Sequence, residues 1–188
     1  MNQRFDFVET SLSGLFRVNR KPIVDGRGYL NRLYCANEFK EIGLTKSIVQ
    51  MNNTLTRFKG TVRGMHFQYP PHTEIKIITC TQGEIFDVAV DIRRGSPTFL
   101  QYHSEILSAE NQASLYIPEG FAHGFQTLTD DCHLLYMHSA FYAPDSESAL
   151  NAQDPMLAIG WPMEVTDISE RDRNHPQLDS QFEGVVLP

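Results

Sequence analysis

The chain is 188 residues long, 41% apolar and 21% charged, which fits one soluble domain (residues 1–188) with room for a real core. A formal net charge of −7 excludes nucleic acid as a partner, because a phosphate backbone demands a basic face, yet a few local arginines can still hold a small phosphorylated ligand. Cys35, Cys80 and Cys132 are odd in number without a C-x-x-C pair, and no signal segment or apolar run of roughly 20 residues is visible, so a reduced, cytoplasmic protein away from membranes is expected.

In chain order, Asp25-Gly26-Arg27-Gly28 predicts a tight turn between apolar segments. Asn37 to Ile42 predicts a short helix stopped by Gly43. Strand patterns follow at Lys46 to Met51, Glu74 to Cys80, Glu84 to Ile92, Phe99 to Leu107, Ala113 to Ile117 and His133 to Tyr142. Gly83, Gly95-Ser96-Pro97 and Pro118-Glu119-Gly120 punctuate them. Between Glu84 and Ile92 the period of two is clear. Phe86, Val88, Val90 and Ile92 point to a core, whereas Ile85, Asp87, Ala89 and Asp91 form a face polar enough to line a cavity. Arg93-Arg94 reads as a solvated surface pair, residues 143–162 as a surface loop, and Ile168 to Pro176 as a helical turn or ordered coil. Many short strands separated by turn residues predict an all-β sandwich or jelly roll.

Two segments carry most of the chemistry: Arg63-Gly64-Met65-His66-Phe67-Gln68 and Pro118-Glu119-Gly120-Phe121-Ala122-His123-Gly124-Phe125. Each sets an imidazole beside glycines, which would let backbone pass close to a ligand. A lone strand histidine is more often structural, but Arg63 lies three residues from His66 and alternation puts Gln68 on its side. Lys76 interrupts the apolar run Ile75-Lys76-Ile77-Ile78 and shares a face with Ile78 and Cys80. It is either an edge-strand gatekeeper or a buried cation that steadies an enolate. His123 is a turn histidine or a pocket donor oriented by a carboxylate such as Asp87. Taken alone, Tyr136 looks like core, and Asp172 like part of a capping box that begins at Ser169. A metal site built from His66, His72, Glu74 and His123 is disfavoured, because Gln68 stands where a strand-borne site would place its second histidine. Histidines flanking a buried lysine suggest a pocket that removes a proton and steadies the charge left behind.

The sequence resembles the dTDP-4-dehydrorhamnose 3,5-epimerase family of the cupin superfamily. The likeness runs through Asp25-x-Arg27-Gly28, Gln50-x-Asn52, the segment Lys59 to Gln68, and Pro71-His72-x-Glu74-x-Lys76. It continues through Asp87 to Arg93, Ser96-Pro97-Thr98, Pro118 to Phe125, and Phe141-Tyr142-Ala143-Pro144. Asn151-x-x-Asp154-Pro155, Trp161-Pro162 and Ile168-Ser169-x-x-Asp172-x-x-x-Pro176 complete it, in order, over most of the chain.

The resemblance implies a double-stranded β-helix, a cupin jelly roll with a few short helices. It implies a homodimeric, metal-free and cofactor-independent isomerase of a nucleotide-diphosphate-linked 4-keto-6-deoxy sugar. His66 would be the base, Asp172 its orienting carboxylate, Lys76 the cation at the enolate oxygen, and Tyr136 the acid on the opposite ring face. His123 would help hold the sugar with Asp87 behind it. Arg63, and Arg27 from a neighbouring subunit, would bind the diphosphate. Gln50 and Asn52 would line the pocket, and Tyr142 would stack on the base. Leu30 and Arg32 replace the family's usual aromatic and acidic residues near the expected nucleotide, which leaves a CDP-linked substrate open. Three rival functions stand beside the epimerase: a nucleotide-sugar 3,4-ketoisomerase, a metal-dependent cupin enzyme and a non-catalytic nucleotide-sugar binding protein.

Overall fold

Strand after strand carries apolar residues on both of its faces, and the computed structural model, which describes residues 3–187, accounts for this by covering each sheet twice. The chain opens with β1 (Phe5–Glu9), β2 (Phe16–Arg20), β3 (Ile23–Asp25) and β4 (Gly28–Leu30). The helix α1 (Ala36–Phe39) runs into a 3₁₀ turn, Lys40–Ile42. Then come β5 (Gln50–Thr56), β6 (Thr61–Gln68), β7 (Lys76–Gln82), β8 (Glu84–Asp91) and β9 (Tyr102–Ser108). After β10 (Ala113–Ile117), β11 (Phe121–Thr127) and β12 (Cys132–His138) the chain ends in short pieces: β13 (Glu147–Ala149), β14 (Asp167–Ile168) and α2 (Glu170–Arg173).

One sheet has the order β1-β2-β10-β7-β12-β5, and the other β13-β6-β11-β8-β9 with β14 added parallel to β6. Both are otherwise antiparallel, which matches the expected all-β jelly roll. Ile78, Cys80, Ile85, Ala89, Leu115 and Phe125 fill the space between the sheets. The outer side of the first sheet packs Val18, Ile77 and Tyr116 under Phe39 of α1. The outer side of the second buries Val62, Met65, Val88 and Val90 under Leu150, Leu157, Ile168 and Val185. At about 1.5–3 kcal/mol for each large apolar side chain, this double coverage holds the sheets in register.

The 3₁₀ turn stops at Gly43 with φ +91°, as predicted, and Asp25–Gly28 is the turn of the β3–β4 hairpin. Other expectations need correction. The strand placed at Lys46 begins at Gln50 and runs to Thr56, and the one placed at Phe99 begins at Tyr102. Both faces of β8 are core, and Asp87 and Asp91 are the buried polar exceptions on the inner one. Residues 143–162 include β13 and the buried Leu150, Ala152 and Leu157, so this stretch is a cover for the second sheet. Arg93 is not a solvated residue. Its guanidinium holds both carboxylate oxygens of the fully buried Asp91, at 2.9 and 2.7 Å, and sits 4.6 Å from the Phe121 ring.

Gly64 and Gly124, one from each motif, serve strand-to-strand contact. Gly64 has φ +126°, and a Cβ there would lie 2.5 Å from Gly124 Cα. A Cβ on Gly124 would lie 2.5 Å from Met65 Sδ and 2.7 Å from Arg63 O. The pairing of β6 with β11 shifts register at this point, between His123 and Phe125. We expect Gly124→Ala to destabilise the fold by about 1–3 kcal/mol through overpacking, read as a lowered urea midpoint. A change within about 0.5 kcal/mol would mean that the close approach relaxes freely.

Candidate active site

Between the open ends of the two sheets lies a cavity of about 260 Å³. From the first sheet β5 contributes Gln50, Asn52 and Thr54, while β12 contributes Tyr136 and His138. Each set has the i, i+2 spacing that keeps side chains on one face of a strand. From the second sheet β6 contributes Arg63, His66 and Gln68. Strict alternation would point Arg63 away from His66, and the register shift at Gly64 brings both inside. Lys76 at the start of β7 and Glu74 just before it form the floor, with Tyr142 and Glu147 at the mouth.

His66 Nε2 lies 2.9 Å from Asp172 Oδ1, and the other carboxylate oxygen accepts from Gly64 N at 3.3 Å. Asp172 reaches this place because Ser169 caps α2, its Oγ accepting from Asp172 N at 3.1 Å, and the aspartate side chain is thereby free to turn toward β6. Burial alone would raise the Asp172 carboxyl, but the bond to His66 and the Gly64 amide hold it down to about 2. Arg171 Nη2 stands 3.1 Å from His66 Nε2, and its Nη1 reaches Glu147 at 3.1 Å.

Lys76 is 6% exposed, which removes the gatekeeper reading. Its ammonium donates to His66 O at 3.1 Å and pairs with Glu74 Oε1 at 3.1 Å. An ammonium has three donors, so one remains for a ligand in the cavity. Glu74 Oε2 lies 2.7 Å from His138 Nδ1. Burial would raise the Glu74 carboxyl, but Lys76 and His138 together keep it below the ordinary carboxylate range.

His123 and Asp87 stand one layer behind the cavity wall, with Nε2 to Oδ1 at 2.7 Å. Burial raises the Asp87 carboxyl, against the pull of His123. The His123 ring meets the Tyr136 ring edge-on, centroids 6.0 Å apart. Burial, with Asp87 nearby, pushes the Tyr136 phenol well above its ordinary value, so the hydroxyl stays protonated as a donor.

A scan against protein families matches residues 9–180 to dTDP-4-dehydrorhamnose 3,5-epimerase. A protein of that name from Methanothermobacter thermautotrophicus is 40% identical, over 93% of this chain and 95% of its own. The chain belongs to the dTDP-4-dehydrorhamnose 3,5-epimerase family. A dTDP-6-deoxy-D-glucose-3,5-epimerase from Legionella pneumophila, solved in complex with dTDP-4-keto-L-rhamnose, superposes with TM-score 0.90 at 35% identity, covering 98% of this chain and 100% of that one. A dTDP-4-dehydrorhamnose 3,5-epimerase from Bacillus anthracis, solved with TDP and PPi bound, gives TM-score 0.89 at 37% identity over 93% and 99%.

Of the residues expected in an epimerase of this family, Gln50, Asn52, Arg63, His66, Lys76, Tyr136 and Tyr142 line one cavity. Asp172 touches His66 from behind, and His123 with Asp87 backs Tyr136. Arg27 is not brought there: it lies on the exposed β3–β4 hairpin, its side chain 89% accessible and paired with Asp25 at 2.6 Å. Tyr136 is not plain core, and Gln68 fastens the loops by donating to His72 O at 2.9 Å and accepting from Ala143 N at 2.7 Å. The possible metal set does not assemble: among the described residues no three His, Cys, Asp or Glu side chains converge as ligands. Sequence reading missed His138, Glu147 and Arg171; for His138 the available signal was its i, i+2 relation to Tyr136.

A depressed folded value for Asp172 fixes the sign of its effect on stability. Its ionised form contributes above the unfolded value of about 4, and that contribution is lost as pH falls toward 2. We expect Asp172→Asn to flatten the decline of stability over that window, measured by urea titration at stepped pH. An unchanged acid limb would show that the carboxylate is not so held.

Proposed function

We propose that this chain, as a single domain over residues 1–188, epimerises a dTDP-linked 4-keto-6-deoxyhexose in deoxysugar assembly without a cofactor. The observation that carries this reading is the Lys76 ammonium, fixed by the His66 carbonyl and Glu74 with one N–H left for the substrate. With Nε2 turned to Asp172, His66 keeps Nδ1 as the nitrogen that takes a proton from a carbon beside the ketone. That C–H bond breaks, an N–H bond forms, and the electron pair moves onto the ketone oxygen as an enolate. Lys76 steadies this oxygen, and Asp172 steadies the imidazolium. Tyr136 then donates its hydroxyl proton to the same carbon from the opposite face, and exchange with solvent resets both groups.

Arg63, whose Nε donates to Thr56 Oγ1 at 3.0 Å and which lines the cavity, would bind the diphosphate. Tyr142, half exposed at the mouth, offers a face to the base. Remote contacts of this kind supply binding energy for positioning.

In heavy water, the wild-type protein should place deuterium beside the ketone of dTDP-4-keto-6-deoxyglucose, and more slowly with the CDP analogue. Located by NMR, the label also separates the rivals: a 3,4-ketoisomerase gains none at C5, and a binding protein gains none anywhere. His66→Ala should lose exchange while keeping dTDP affinity, and Lys76→Ala should lose about a hundredfold in rate. Tyr136→Phe should slow inversion more than exchange. Wild-type-like exchange in His66→Ala, or a Lys76→Ala defect confined to KM, would contradict these roles.

We further propose a cytoplasmic homodimer in which the β3–β4 hairpin crosses to the second subunit. Ile23, Val24, Tyr29 and Leu30 are large, apolar and exposed on that hairpin, and Arg27 lies at its turn. In light scattering the solution mass should correspond to two 21.4 kDa chains. Arg27→Ala should raise KM about tenfold with little change in kcat, as loss of one diphosphate contact implies. A monomeric mass, or an unaltered KM, would refute this arrangement.

A further inference from the structure

The cavity holds a second imidazole–carboxylate pair that the roles above leave unused. His138 lies on β12 of the first sheet and Glu74 just before β7 of the same sheet, whereas His66 and Asp172 belong to the other side of the sandwich. Glu74 Oε2 accepts from His138 Nδ1 at 2.7 Å, which fixes the tautomer and turns Nε2 toward the cavity, where Asn52 Nδ2 is its neighbour at 3.4 Å. That contact is long for a hydrogen bond and leaves Nε2 open to a ligand. His138 is opposite Lys76 in the pairing of β12 with β7, so the imidazole stands beside the cation rather than behind it.

His138 also follows Tyr136 by two residues on the same face of β12. Their rings are parallel within 4°, with centroids 5.9 Å apart. Phenol and imidazole are therefore displaced along the strand and address different points of one cavity wall, opposite to His66. A 4-keto sugar has two acidified carbons, one on each side of the carbonyl, and each inversion needs a proton donor on the face away from the base. One wall thus presents two candidate donors, and one of them is an imidazole, the side chain best suited to proton transfer near neutral pH.

We propose that His138, oriented by Glu74, is a second catalytic acid–base residue that delivers the proton to one of the two carbons flanking the ketone, while Tyr136 serves the other. In the step at His138 the ring acts as the imidazolium, its Nδ1–H held by Glu74: the Nε2–H bond breaks, a C–H bond forms as the enolate returns to the ketone, and the neutral ring left behind takes a proton back from solvent on Nε2. The inference rests on the epimerase reading and deepens it.

The test is deuterium incorporation with inversion at C3 and at C5, scored separately by NMR in heavy water, for wild type, His138→Asn and His138→Gln. The Asn amide keeps a donor for Glu74 where Nδ1 stood but cannot transfer a proton, and unchanged dTDP affinity and melting temperature would show that the fold persists. We expect His138→Asn and His138→Gln each to lose about a hundredfold at one carbon. A loss below about tenfold in His138→Asn at every carbon that wild type labels would overturn the proposal and leave His138 as a positioning group for Glu74 and Lys76. Equal losses at two labelled carbons would overturn it as well. If wild type itself gains no label, the epimerase reading falls; if wild type exchanges and His138→Asn keeps pace, only the role of His138 falls.

Discussion

The backbones of β6 and β11 meet at Gly64 and Gly124 more closely than any side chain would allow, and the cavity residues of β6 are arranged around that contact. The strand pairing slips there, which turns Arg63 and His66 into the same cavity despite their odd spacing. The Gly64 amide is also freed from the ladder to donate to Asp172, so the carboxylate that orients His66 is itself held by the strand bearing His66. Strand packing, the orientation of the His66 ring and the placement of Arg63 thus share a single geometric cause. A glycine beside a histidine is easily taken as a mark of ligand approach; here it marks the approach of a neighbouring strand.

The electrostatics follow from burial. An ammonium as enclosed as Lys76 requires a counter-charge, which Glu74 supplies, but a carboxylate at salt-bridge distance also weakens the potential offered to an enolate. Glu74 is bonded on two sides, so its charge is shared between Lys76 and His138. At an effective dielectric constant of 20 a unit charge 4 Å away is worth about 4 kcal/mol, comparable to the effect of a strong oxyanion-hole donor. The tyrosine raised by burial and the aspartate kept ionised point the same way: one stays a proton donor, the other a fixed negative partner for an imidazolium.

Much of the fold is legible wherever the period of two is uninterrupted. Glu84 to Ile92 and Ala113 to Ile117 appear as strands almost to the residue, because successive side chains face well-defined apolar layers. β6 and β11 escape the pattern because their glycines and polar residues are required by close strand contact and by the site. The β1–β2 pair, short and partly exposed, also gives little signal. Among the site residues, Lys76 is readable from its isolation in an apolar run. Tyr136 and Asp172 are not: one resembles core, the other a helix cap, and only tertiary structure or family likeness reveals more. His138 is hidden for a different reason. Its partner Glu74 lies 64 residues away in sequence, on a segment that precedes a different strand.

Asp172, on the short helix α2, joins His66 across a sequence separation of 106. During synthesis on a ribosome, β6 emerges long before that helix exists. The His66–Asp172 contact therefore cannot form until α2 has been translated and its segment has wrapped back over the second sheet. On the proposed reading, proton abstraction is in this way tied to synthesis of α2, and products ending upstream of that helix would be inert however well their sandwich assembled.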